Sequence, residues 1–112
     1  MSAGKYDIRV DQGSDFSLQL TVQESGSAKN LTGFSVRGQV RPTKDSSTVT
    51  ASFTTAITNA TNGICTISLP FASTTNMAVG QYFYDIEVFT GSTVQRLIEG
   101  LVTVSPEVTR WV

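Results

Sequence analysis

Histidine is absent from this sequence, cysteine occurs once and proline three times in 112 residues. Without histidine the chain lacks the side chain that most often moves protons or binds zinc near neutral pH. A lone cysteine, Cys65, excludes an intrachain disulfide. With no imidazole to activate it, Cys65 reads as a small buried hydrophobe rather than a nucleophile. Charge is scarce too: eight basic and nine acidic side chains nearly cancel, to a net −1. They are scattered, so no basic stripe is available to follow a phosphate backbone, and copies of the chain would repel one another only weakly. No run approaches the ~20 apolar residues of a membrane span. Residues 1–5 lack the apolar core of a signal peptide, so the expectation is a product made and folded in a cytosol. No phosphate loop, zinc spacing or nucleophile elbow is present. The expectation is therefore no catalytic residue, no cofactor, no metal, and neither nucleic acid nor membrane as a partner.

What the sequence does contain is period-two alternation between turn clusters. Phe16, Leu18, Leu20 and Val22 alternate with Ser17, Gln19, Thr21 and Gln23, the cleanest such segment. Tyr6, Ile8 and Val10 precede it across a turn at residues 12–15. Phe34, Val36 and Val40 follow, with Gly38 standing where the apolar face continues, the mark of a bulge or a close backbone approach. Val49, Ala51 and Phe53 alternate next, then Cys65, Ile67 and Leu69. Tyr82, Tyr84, Ile86 and Val88 share a later face, and Val94, Arg96, Ile98, Gly100, Val102 and Val104 alternate across a short loop centred on Gly91. Only residues 70–79 have helical character, enough for a single turn, with Ser73 or Thr74 as its cap.

About seven short strands with turns between them, and no room for crossover helices, predict an all-β fold. The economical form is a two-sheet antiparallel β-sandwich, immunoglobulin-like, with at most one short helical turn. Residues 1–106 form the single domain and residues 107–112 a C-terminal tail. Leu20, Val36, Ile67, Ile86 and Val102 are expected in the core.

Asp85 and Glu87 share a strand face, with Glu99 across the hairpin. Arg96 and Arg37 are plausible neighbours, so cross-strand ion pairing is the expectation rather than acid–base chemistry or a cation site. Tyr82 and Tyr84 read as core residues whose hydroxyls reach the rim. In the tail, Trp111 is not needed by the core pattern, and tryptophan is enriched among interface anchors. Trp111, with Val108 and Arg110 beside it, is the candidate interface, together with Phe71. Phe71 is also the main loop aromatic that a ligand-binding module would use, with Phe34 a weaker one.

Several blocks resemble a family of small virion proteins of tailed bacteriophages. They are Leu31-Thr32-Gly33-Phe34 leading into Val36 and the strand from Arg37 to Arg41; Gly80-Gln81-Tyr82-Phe83-Tyr84-Asp85-Ile86-Glu87; Val94-Gln95-Arg96-Leu97-Ile98-Glu99-Gly100; and Val102 through Arg110. Asp11-Gln12-Gly13 before an alternating strand fits as well. The chain is also similar to the immunoglobulin-like N-terminal domains of phage baseplate upper proteins. The resemblance implies a virion component of the tail, baseplate or fibre attachment, an adaptor acting through protein–protein contacts. It would be assembled in the bacterial cytoplasm and repeated as a homo-oligomer among other virion proteins. A head decoration protein, or a receptor- or carbohydrate-binding sandwich, is the alternative. Loops rich in Ser, Gly, Thr and Asn favour assembly over ligand capture.

Overall fold

The computed structural model describes residues 4–24 and 26–108. Within them lie eleven strands and one helical turn: β1 (Gly4–Lys5), β2 (Ile8–Asp11), β3 (Phe16–Thr21), β4 (Gln23–Glu24), β5 (Ser27–Ala28), β6 (Ser35–Arg41), β7 (Ala51–Ser52), β8 (Thr54–Asn59), β9 (Ile64–Leu69), α1 (Phe71–Thr74), β10 (Gly80–Phe89) and β11 (Val94–Ser105). The chain is thus nearly all β. Six strands form one sheet in the order β1-β11-β10-β6-β7, with β2 also lying on β11. Three form a second sheet, β3-β9-β8, and β4 pairs with β5 as a small separate ribbon.

The alternation in the sequence becomes inner and outer faces. Ile8, Val10, Val36, Val40, Tyr84, Ile86, Val88, Val102 and Val104 come from the larger sheet and Cys65, Ile67 and Leu69 from the smaller, all in one buried cluster. Phe53 lies between the sheets, with its ring centroid 6.4 Å from that of Phe16 and 6.0 Å from that of Tyr84. Thr55 Oγ1 also donates to the Val36 carbonyl at 2.8 Å, a bond from one sheet to the other. Gly38 marks a close backbone approach, as its place on the apolar face foretold. A Cβ there would stand 2.8 Å from the Asp85 carbonyl and closer still to the Ile86 side chain. Tyr84 is buried and its hydroxyl donates to the Tyr6 carbonyl, while Tyr82 is partly buried and donates to the Ala78 carbonyl. Burial, with the Asp7 charge adding to it, pushes the Tyr84 phenol up to about 12.

Several expectations need correction. The count of about seven strands falls short of eleven because β1, β4, β5 and β8 carry no clean alternation. The alternating segment from Val49 to Phe53 is two pieces: β7 pairs with β6, the chain crosses at Phe53, and β8 pairs with β9. The pairing is not wholly antiparallel, since β1 and β2 both run parallel to β11. No crossover helix is needed, because the rest of the domain is the connection. Val94 is 58% exposed, not on the inner face. A bulge skips Leu97, so the register steps from Ile86↔Ile98 to Glu87↔Arg96 and the two halves of β11 face opposite ways. Leu97 is buried instead. Neither Ser73 nor Thr74 caps α1; Pro70 holds the cap position without a side-chain bond. Leu20, expected deep in the core, is only partly buried, as are Phe16 and Leu18 beside it.

The difference in burial is measurable. Ile67→Ala, at a fully buried site, should cost about 2–5 kcal/mol. Leu20→Ala should cost about 1–2 kcal/mol, because part of that side chain already meets water. Urea unfolding of the two variants should rank them in that order.

Candidate functional site

The turn at residues 12–15 gathers segments that are remote in sequence. Gly13 adopts φ 85°, a left-handed conformation that glycine enters without steric cost. The Gln12 amide donates to the Ser105 carbonyl at 3.0 Å, and the Ser14 amide closes the turn on the Asp11 carbonyl at 3.1 Å. The side chains then reach outward. Gln12 Nε2 donates to the Met77 carbonyl at 2.9 Å, and Gln12 Oε1 accepts from the Glu107 amide at 3.3 Å. Asp15 Oδ1 accepts from the Phe71 amide at 2.7 Å, at the start of α1. Thr74, fully buried, donates its hydroxyl to the Ser14 carbonyl at 2.8 Å. One turn thus holds α1, the loop after it and the segment that leaves β11.

Three apolar side chains stay open to solvent on these tied segments: Phe71 at 50%, Val79 at 53% and Val108 at 90%. They share one end of the fold, because Gly80 pairs with Val104 near the exit of β11. Of the expected interface residues, Phe71 and Val108 are therefore brought to the same end, both exposed. Arg110 and Trp111 lie outside the described residues. Phe34, the weaker candidate, is partly buried against the core. Val79 and the polar ties of Gln12 and Asp15 escape a reading of the sequence. Their partners stand 56 to 95 residues away, and no local pattern marks them.

A second surface lies on the outer face of the larger sheet, where the expected ion pairs form. Arg37 Nε meets Glu87 Oε1 at 2.8 Å. Arg96 meets Asp85 at 3.3 Å and Glu99 at 3.6 Å, and Lys44 meets Glu99 at 3.6 Å. Arg37 also stacks over the Phe89 ring, 4.5 Å from its centroid. Lys44, Asp85, Glu87, Arg96 and Glu99 border a depression of about 340 Å³ that also reaches Gln39, Arg41 and Phe83. Burial pushes the Asp85 carboxyl above its ordinary value and repulsion from Glu87 adds to this, with Arg96 opposing. Each carboxylate faces a cation, so the arrangement is suited to holding strands in register. Half-exposed pairs of this kind contribute at most about 1 kcal/mol each. Cys65 is fully buried, and burial raises its thiol pKa.

No family model and no curated protein matches the chain. Among solved structures it is similar to InlP of Listeria monocytogenes, with a TM-score of 0.51 and 16% identity over 92% of this chain and 27% of that one. It is also similar to a family 123 glycoside hydrolase from Clostridium perfringens, with a TM-score of 0.44 and 12% identity over 96% of this chain and 24% of that one. The chain spans about a quarter of the length of each. The likeness to InlP is one of fold.

Two outcomes follow from this geometry. Gly13→Ala must force a side chain into the left-handed region and against the Glu107 carboxylate. It should lower stability by about 1–2 kcal/mol in urea unfolding. Asp85 bears on pH. Folding raises its pKa above the ordinary 3.8, so the folded chain binds the proton more tightly than the unfolded one. Its contribution is fully present below the unfolded value and is lost as pH rises through the folded value. Asp85→Asn should remove that stretch of the stability-against-pH curve, read as urea midpoints from acid to neutral pH.

Proposed function

We propose that this chain is a non-enzymatic assembly module of a tailed bacteriophage particle, a tail, baseplate or fibre-attachment component that joins other virion proteins. Its fold we read as an immunoglobulin-like sandwich. The strand order β2-β11-β10-β6-β7 in one sheet and β3-β9-β8 in the other, with one apolar cluster drawing on both, supports that reading. The virion assignment is supported by the sequence blocks around Leu31-Thr32-Gly33-Phe34, residues 80–87 and residues 94–110.

The observation that carries the proposal is the exposure of Phe71, Val79 and Val108 at the end where the chain leaves β11. Covering a side chain of this kind completely contributes about 1.5–3 kcal/mol. A partner that buries all three gains a useful fraction of that at each. The turn at residues 12–15 already fixes the backbone on which they stand, so docking sacrifices little conformational freedom. Arg110 and Trp111 follow immediately in the sequence, and both residue types are enriched among interface anchors.

Particles purified from the host should contain the chain in fixed stoichiometry by mass spectrometry. A variant ending at Glu107 keeps the bond from that amide to Gln12. It should unfold at the same urea concentration as the full chain but enter particles about tenfold less, a loss of about 1.4 kcal/mol in docking. Incorporation at normal occupancy would remove the end surface from the account, and absence of the chain from all particles would remove the virion.

A further inference from the structure

Every sheet edge exposes backbone donors and acceptors that a further strand can pair with, and folded proteins blunt such edges by a few recognisable devices. Among the described residues, three of the four edges of the two larger sheets are blunted. The edge formed by β1 and β2 is interrupted at Tyr6 and Asp7 and carries Lys5, Arg9 and Asp11. β7 is only two residues long. β8 carries a bulge between Ile57 and Asn59. β3 has none of these. It runs for six residues in unbroken register with β9, from Phe16↔Leu69 to Thr21↔Ile64, with no charge, proline or bulge. On its far side the backbone of β3 bonds to no other described segment.

The side chains of β3 tell the same story. Cys65, Ile67 and Leu69 on the neighbouring β9 are fully buried, whereas Phe16, Leu18 and Leu20 are only partly so. The strand with the cleanest alternation is the one whose apolar face is left incomplete. Its outer face is Ser17, Gln19 and Thr21, and no charged residue occurs anywhere in β3, β8 or β9. Nothing on this sheet repels a copy of itself.

We propose that a second copy of this chain pairs antiparallel with β3 across a two-fold axis at Gln19, joining two three-stranded sheets into one. In that register Leu18 faces Leu20 of the other copy and Ser17 faces Thr21, so apolar meets apolar and polar meets polar. The two Gln19 carboxamides oppose each other, each donating from Nε2 to the other's Oε1. Asp15 falls opposite Gln23, so no like charges meet. A two-fold antiparallel pair always sets side chains of the same face against one another, which makes this alternating strand complementary to itself. The inference does not rest on the virion reading, and the purified chain alone tests it.

The experiment is sedimentation equilibrium of the full chain from micromolar to millimolar concentration, with Gln19→Lys and Gln19→Glu, both at an exposed position. The wild-type chain should show a reversible monomer–dimer equilibrium. Each variant, bringing like charges together at the axis, should weaken it about tenfold or more, and an equimolar mixture of the two should restore pairing. Urea midpoints should match the wild type, which separates lost pairing from lost folding. A chain that stays monomeric at millimolar concentration overturns the proposal. So does an open-ended series of oligomers, dimers of Gln19→Lys as tight as wild type, or a mixture that pairs no better than either variant alone.

Discussion

Phe53 sits where the chain leaves one sheet for the other, packed against Gly38, a position with no room for a side chain. The Phe53 amide donates to the Gly38 carbonyl at 3.0 Å, and the ring passes 3.1 Å from where a Cβ at residue 38 would stand. Ile86 fills the rest of that space. From this seat the Phe53 ring reaches Phe16 on one side and Tyr84 on the other. One ring at the corner between β7 and β8 thus touches a strand of each sheet.

Tyr84 carries the constraint onward. Its ring meets that of Phe53 at a steep angle while its hydroxyl holds the Tyr6 carbonyl at the interruption between β1 and β2. Asp7 completes that interruption by accepting from the Leu101 amide at 3.0 Å. The first strand pair is thereby laid along β11, and its continuation delivers the turn at residues 12–15 to the end where β11 finishes. The exposed apolar groups at that end are therefore positioned by the same packing that closes the core. Segments fixed in this way would leave little to be ordered if a partner covered those groups.

Alternation made much of this legible. Val36, Ile67, Ile86 and Val102 are buried where their period places them, Gly38 marks a close approach, and Arg37, Asp85, Glu87 and Arg96 pair across strands. What alternation misses has physical reasons. β8 is Thr-rich and lacks a strong two-residue period, and β4 and β5 are too short to have one. The bulge at Leu97 reverses the face of Val94 with no glycine or proline to announce it. Leu20 has the right period but stands on an edge, and whether an edge is covered depends on neighbours that no local window contains. The candidate surface was half legible: Phe71 and Val108 are exposed together, whereas Gln12, Asp15 and Val79 became visible only once distant segments were brought side by side.

The parallel alignment of β2 with β11 has a mechanical consequence. Residues Ile8 to Asp11 run in the same direction as Val102 to Ser105, so the chain enters this pair at one end and departs from the other. Tension applied between the two ends pulls along the strands and loads their hydrogen bonds in shear, all at once. An antiparallel terminal pair under the same tension would open one bond at a time, each break exposing the next. Strung between two larger bodies that move against each other, this domain would resist as a clamp rather than part as a zipper.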